Sequence, residues 1–192
     1  MTSKLSNTAQ PCVLVLASGR GERFLASGGR VHKLAALLDG TSVLERTLAA
    51  VRASGLPWHL EDAGHAGMGD SIAAAVSAVP NAAGWLVLPG DLPLTLPQSL
   101  RTIATALQGG AQVVAPMFKG QRGHPVGFAA ALGPALMALT GEQGASALVR
   151  AAQASGQLQT VAVDDCGVVT DIDTLDDLHH AAELLRGRLG RG

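Results

Sequence analysis

The chain has 192 residues, 47% of them hydrophobic, with 14 basic and 15 acidic residues and a formal net charge of −1. That length suits about one domain with a substantial core, and the near-neutral balance excludes a broad basic footprint for nucleic acid or an anionic membrane. Cys12 and Cys166 stand far apart with no CxxC pair, which excludes a disulfide framework or zinc knuckle and leaves both as small core residues.

Residues 1–10 are polar, and the apolar run behind them is too short for a signal-peptide core or a membrane span. A soluble cytoplasmic protein is the expectation, with residues 1–11 a flexible N-terminus ahead of a single domain. Residues 12–17 have the length and Val/Leu content of a strand buried on both faces. The chain then becomes glycine-rich and cationic. Gly19 and Gly21 let bare amides approach a ligand, and Arg20, Arg23 and Lys33 add positive charge. Such a loop suits a polyphosphate.

Ser42 and Glu45 have capping-box spacing, and Val43, Leu44, Leu48 and Val51 recur at helical intervals, which predicts a helix over 42–54. Gly55 and Pro57 close it, residues 58–60 read as a brief strand, and 62–69 as a loop. Asp70 or Ser71 then caps a helix to about 79. Residues 84–89 form a second buried strand ended by Pro89-Gly90-Asp91. Further elements follow: a helix from 97 to about 109, strands at 111–117 and 125–128, and an apolar helix over 129–139 interrupted near Gly133-Pro134. A helix over 144–155, a strand at 158–163, an extended segment at 168–173 and a final helix capped by Thr174 complete the chain. Strands alternating with helices predict an α/β, three-layer fold with a mostly parallel sheet and a ligand beyond the strands' carboxyl ends.

Neither common phosphate-binding pattern fits the glycine loop. Phe24 stands where a dinucleotide fingerprint needs its third glycine, and Lys33 is followed by Leu34 rather than the Ser or Thr of a Walker loop. Asp91 follows an apolar strand, so its carboxylate emerges at the binding edge. In an extended segment Asp171 and Asp173 project to one face about 7 Å apart, with Ile172 opposite. One of the two reaches a metal while the other orients it or caps backbone. Hard oxygen ligands of this kind suit Mg²⁺, which binds one or two carboxylates plus substrate phosphates. No protein nucleophile is evident. The set favours attack by a substrate oxygen on the α-phosphorus of a nucleotide, with Arg20, Arg23 and Lys33 stabilising the departing pyrophosphate.

LASGRGERF followed by Lys33, then GMGDSI, PGDLPL, GHPVGF, GEQGA and DIDTLDDL, in that order, resemble the molybdenum cofactor cytidylyltransferase branch of the MobA-like nucleotidyltransferases. The resemblance spans about residues 12–185 and implies a Rossmann-like nucleotidyltransferase fold. It implies an NTP site at Ala17, Ser18, Gly19, Arg20, Gly21 and Arg23 with Lys33, a Mg²⁺ ligand at Asp91, and a second at Asp173 or Asp171. Arg23, Lys33 and Asp91 would be the catalytic set. The stretch from Gly67 to Ser71 would lie against the base or ribose, and Gly123, His124, Pro125 and Val126 on the acceptor side. The implied acceptor is the terminal phosphate of molybdopterin, with transient contact to a molybdoenzyme or its chaperone and no nucleic-acid or membrane partner.

Three features depart from the family pattern. The loop reads Ala17-Ser18-Gly19, neither the Ala-Ala-Gly associated with CTP nor the Ala-Gly-Gly associated with GTP; CTP is favoured over GTP. About nine extra residues around 25–30 precede Lys33. Only 15 residues separate Arg52 from Met68, where the family has a full strand and helix. The rivals are a transferase acting on a sugar or isoprenoid-precursor phosphate, and a carrier that holds a nucleotide without turnover. His59, Glu61 and His65 lack the spacing of known zinc patterns.

Overall fold

In a computed structural model, which describes residues 10–19 and 21–189, the first apolar run becomes strand β1 (Cys12–Leu16), buried along its whole length. It pairs in parallel with β4 (Trp58–Glu61) on one side and β5 (Gly84–Pro89) on the other. Alternate side chains point to opposite faces of a strand. Cys12, Leu14 and Leu16 accordingly join one core cluster, and Val13 and Val15 join another. The first cluster is completed by α3 (Met68–Ala78), α5 (Gly133–Met137) and α6 (Ser146–Ala154). The second is completed by α2 (Val43–Ser54) and α4 (Pro97–Gln108). Helices therefore cover both faces, giving the expected three layers.

The sheet continues through β6 (Val113–Phe118), β7 (Gln121–Arg122), β8 (Val126–Ala129) and β9 (Leu158–Ala162). Its seven strands run in the order β4-β1-β5-β8-β6, with β6 then pairing β7 and β9. The sheet is mostly parallel; β8 runs antiparallel to β5 and β6, and β7 antiparallel to β6. An apolar run carries no sign of direction, so sequence periodicity could not mark β8 as the reversed strand.

Helix α2 forms as expected, with the Ser42 hydroxyl accepting from the Glu45 amide at 3.3 Å and Gly55 closing it at φ 73°. Helix α3 begins earlier than expected, with Gly67 at its cap. Asp70 is not the cap; its carboxylate accepts from the Gly141 amide at 3.0 Å and ties α3 to the loop between α5 and α6. The short second unit is complete in outline: β4 occupies the sheet edge, and residues 62–67 lead straight into α3.

The largest difference from the sequence reading lies around Lys33. The extension folds as α1 (Glu22–Ala26), a 3₁₀ turn at Lys33–Ala35, and a hairpin of β2 (Leu37–Leu38) with β3 (Thr41–Ser42). Phe24, unsuited to a dinucleotide loop, is 1% exposed and anchors a third apolar cluster with Leu34, Leu38, Val43 and Ile172. Ala181 of α7 (Leu175–Leu189) joins the same cluster. Gly29 passes so close that a Cβ there would lie 2.3 Å from the Phe24 ring, so only glycine closes this return.

Residues 168–173 are not the extended segment expected. Cys166–Val169 is a 3₁₀ turn, and the residues after it join no ladder. Residues 1–9 of the expected flexible N-terminus, and Arg20 of the expected phosphate loop, lie outside the described residues. Among the described residues no helix is long and apolar enough to cross a membrane.

Candidate active site

At the carboxyl ends of β1 and β5 a cavity of about 560 Å³ opens between the glycine loop, the start of α3 and the turn after β5. Its depth is set by backbone ties between strands. The Gly90 amide donates to Leu16 O at 2.8 Å, and the Ala17 amide to Glu61 O at 2.8 Å. Gly90 packs closely here: a Cβ would lie 3.1 Å from Leu16 O, a tight contact.

Lys33 is the electrostatic centre. Its ammonium donates to Asp91 Oδ2 at 2.6 Å and to Asp173 Oδ1 at 2.7 Å, with the lysine side chain only 13% exposed. Burial alone would lower the Lys33 pKa, but Asp91 and Asp173 outweigh it and hold the ammonium above the ordinary lysine value. The hydrogen bond from Lys33, opposed in part by burial and aided by Arg23, holds Asp173 below the ordinary carboxylate range.

Each partner is delivered by a local device. His32 carries the loop back to Lys33: its Nε2 donates to Gly19 O at 2.6 Å while its Nδ1 accepts from the Leu34 amide. Asp91 is fixed through its carbonyl, which accepts from the Ile172 amide at 3.0 Å. That bond, with Ile172 fully buried, pins residues 171–173 against the β5 turn. Asp177 then accepts from the Asp173 and Thr174 amides at 3.1 and 2.7 Å, while its own amide donates to the Thr174 hydroxyl. This reciprocal cap sets the Asp173 backbone at the start of α7.

Asp171 and Asp173 do not share a face. Without a ladder to hold the pleat, the segment twists; Asp173 enters the cavity, while Asp171 lines a second cleft with Lys119, His180 and Arg188. Burial, together with the charges of Asp91, Asp173 and Asp177, raises the Asp171 pKa. The structure therefore brings Asp173, and not Asp171, to Lys33.

Ser18, Gly19, Gly21, Arg23, Gly67 and Ser71 all line the cavity. Gly21 sits at φ 65° as the cap of α1, a left-handed conformation that favours glycine. Arg23, 83% exposed, donates to Asp173 Oδ2 at 2.9 Å from the rim. Ala17 forms the root of the loop rather than its wall. Gly67 abuts Gly141, where a Cβ would meet backbone at 2.4 Å. Ser71 is buried and donates to Gly67 O at 3.2 Å.

Gly123, His124 and Pro125 line neither cavity. Gly123 is required for packing, because a Cβ would meet Val168 O at 2.2 Å. His124 is held by its amide to Val168 O at 2.8 Å, and burial lowers its pKa against the pull of Asp91 and Asp171. Residues the sequence reading did not place here are His65 and Glu142, both on the wall, and His32, the brace of the glycine loop; Met68, within the expected Gly67 to Ser71 stretch, lines the wall too. His32 directly precedes Lys33, the one signal that could have singled it out.

The surroundings fit a divalent cation. Asp91 Oδ1 is buried and has no hydrogen-bond partner, a costly state for a carboxylate oxygen unless something cationic meets it. Among the described residues no group of three His, Cys, Asp or Glu ligands is assembled. Two carboxylates without a full protein cage match an ion that takes its remaining ligands from phosphate and water.

Arg23→Ala is expected to raise KM for the nucleotide and lower turnover, together by about tenfold in kcat/KM, since a charge-assisted contact is worth that much. Its melting curve stays unchanged because so exposed an ion pair contributes little stability. Unaltered steady-state kinetics would show that Arg23 serves only solvent.

The family model described as MobA-like NTP transferase domain matches residues 49–161. That span includes Asp91 and excludes the glycine loop and Asp173. No curated protein matches the chain. Among solved structures, Rv0371c from Mycobacterium tuberculosis H37Rv is 25% identical with a TM-score of 0.75, over 92% of this chain and 99% of that one. A complex of Rv0371c with manganese is 26% identical with a TM-score of 0.70, over 91% and 98%. A nucleotidyl transferase from Methanothermobacter thermautotrophicus is 21% identical with a TM-score of 0.77, over 93% and 99%, a likeness of fold.

Proposed function

The chain belongs to the MobA-like NTP transferase domain family, and from that premise we propose that it transfers a nucleoside monophosphate from an NTP, CTP in preference to GTP, to the phosphate of molybdopterin or molybdenum cofactor. Nucleotidyl transfer itself is the activity of the family. The observation that carries the reading is Lys33 between Asp91 and Asp173, facing a glycine loop across one cavity. The molybdopterin acceptor rests on the ordered motifs ending in GHPVGF and DIDTLDDL.

The reaction needs no nucleophile from the protein. An acceptor phosphate oxygen forms a bond to the α-phosphorus, the bond from α-phosphorus to the bridging oxygen breaks, and pyrophosphate leaves with that electron pair. Amides of the loop at Ser18, Gly19 and Gly21 orient the phosphates, and Arg23 and Lys33 neutralise charge that grows on the leaving group. Asp91 and Asp173 would hold Mg²⁺, which supplies Lewis-acid polarisation of phosphate oxygens. Lys33, which neutralises the two carboxylates in this structure, would supply positive charge to the phosphates from beside them.

Asp173→Asn and Asp171→Asn separate the two carboxylates. With Asp173→Asn, the melting-temperature gain on adding CTP with Mg²⁺ or Mn²⁺ is expected to shrink severalfold; with Asp171→Asn it is kept. The reverse outcome would move the second ligand to Asp171. The product is tested by mass spectrometry after incubation with CTP, Mg²⁺ and molybdopterin, beside parallel arms with a sugar phosphate and an isoprenoid-precursor phosphate. A cytidine dinucleotide in the molybdopterin arm is expected, and product only in another arm would transfer the assignment there.

A further inference from the structure

Glu61 joins two walls of the cavity. Its carbonyl accepts from the Ala17 amide at 2.8 Å and from the Ser18 hydroxyl at 3.2 Å, holding the glycine loop. Its carboxylate, 7% exposed as a residue, accepts from the Ala63 amide at 3.2 Å and meets His65 Nε2 at 2.9 Å through the same oxygen. His59 Nε2 lies 3.4 Å from the other oxygen. The arrangement is not a metal centre, because both imidazoles spend their Nε2 on the carboxylate and no three-ligand group forms among the described residues.

The hydrogen-bond pattern fixes a tautomer. An oxygen that accepts a backbone N–H is an acceptor, so His65 Nε2 is the donor toward it. Burial alone would raise the Glu61 pKa, but the bonds from His65, Ala63 and His59 outweigh it and keep the group ionised below the ordinary carboxylate value. Neutral His65 then carries its lone pair on Nδ1. That atom makes no hydrogen bond among the described residues, and His65 lines the same cavity as Ser18, Gly67 and Ser71.

We propose that His65, held in this tautomer by Glu61, accepts a hydrogen from the exocyclic amine of the nucleobase and so makes the cavity select CTP over UTP. The inference rests on the nucleotide-binding reading of the cavity. Cytosine presents an amine donor at C4 where uracil presents a carbonyl acceptor. A lone pair on Nδ1 is satisfied by the first and opposed by the second, so discrimination comes from both attraction and repulsion. His65 touches the substrate; Glu61 is a positioning residue that acts through it.

The test is titration calorimetry of CTP and UTP, each with Mg²⁺ and without acceptor, on the full chain. The native protein is expected to bind CTP at least about tenfold more tightly, the value of one well-formed hydrogen bond plus an avoided repulsion. His65→Ala brings the two affinities within about twofold, and His65→Gln, whose amide turns to meet either base, does the same. Glu61→Gln, whose carbonyl oxygen stays toward the Ala63 amide and His65 Nε2, keeps the tautomer and the CTP preference, whereas Glu61→Ala frees the ring and brings the two affinities together. Equal CTP and UTP affinity in the native protein, or an unchanged ratio in a folded His65 variant, overturns the proposal while leaving the nucleotide site standing. Failure of the native protein to bind any NTP overturns the nucleotide reading itself, and the proposal with it.

Discussion

Asp91→Asn is expected to lower metal-dependent pyrophosphate release by at least about a thousandfold while leaving the fold intact. The amide keeps the shape of the carboxylate and can still accept from Lys33 through its oxygen. What disappears is the charge that meets a cation at the buried, unpartnered Oδ1. The Asp91 carbonyl, which holds Ile172 and hence the segment leading to Asp173, is untouched by the substitution. A normal melting curve with lost turnover therefore separates a chemical role from a structural one. Full activity would remove Asp91 from the reaction and with it the metal assignment.

Lys33→Ala is expected to show two effects. Turnover falls by about a hundredfold or more, because a cation beside the leaving pyrophosphate is gone. The metal-free protein also loses about 3 kcal/mol of stability, since removing one member of a mostly buried pair leaves like charges facing each other. Mg²⁺ or Mn²⁺ at millimolar concentration then raises the melting temperature of the variant more than that of the native protein, by taking the vacated place between Asp91 and Asp173. Identical metal responses would contradict a shared site.

The native pH profile follows from the signs of the two shifts. The Lys33 pKa is raised above 10.5, so its contribution is complete below that value and is lost as pH climbs through the folded pKa. The Asp173 pKa is lowered from 3.8, so its contribution is present above that value and is lost as acid reaches the folded pKa. Both are in place at neutral pH, and Lys33→Ala flattens both ends.

Much of the fold was legible because its signals are local. Ser42 and Glu45 announced the start of α2, Gly55 its end, and the apolar runs ending at Leu16 and Pro89 gave the two central strands with Asp91 at the binding edge. The direction of β8 was hidden because direction is decided by pairing partners, here β5 and β6, and not by the residues of the strand. The extension before Lys33 looked like loop. Its organising force is burial of Phe24 against Ile172 and α7, about 150 residues away in sequence, which no local window contains.

The site was legible in its residue types and less so in its arrangement. Lys33, Asp91 and Asp173 meet as their chemistry suggests. Asp171 was wrongly placed on the face of Asp173 because the two-residue alternation applies only where a ladder holds the strand flat, and residues 170–174 have none. The sequence carried a weaker signal for His65. Read by spacing it was a poor zinc ligand; its part in the cavity depends on the Glu61 carboxylate, which only the meeting of β4 with the glycine loop reveals.

The account is tested most directly by incubating the native chain with CTP labelled at the α-phosphate, Mg²⁺ and molybdopterin, and measuring pyrophosphate and label transfer together. The expected result is one pyrophosphate released for each label joined to the acceptor, dependent on both acceptor and metal. Nucleotide held in the cavity with neither pyrophosphate nor transfer, for any of CTP, GTP, ATP and UTP, would contradict it and show a carrier.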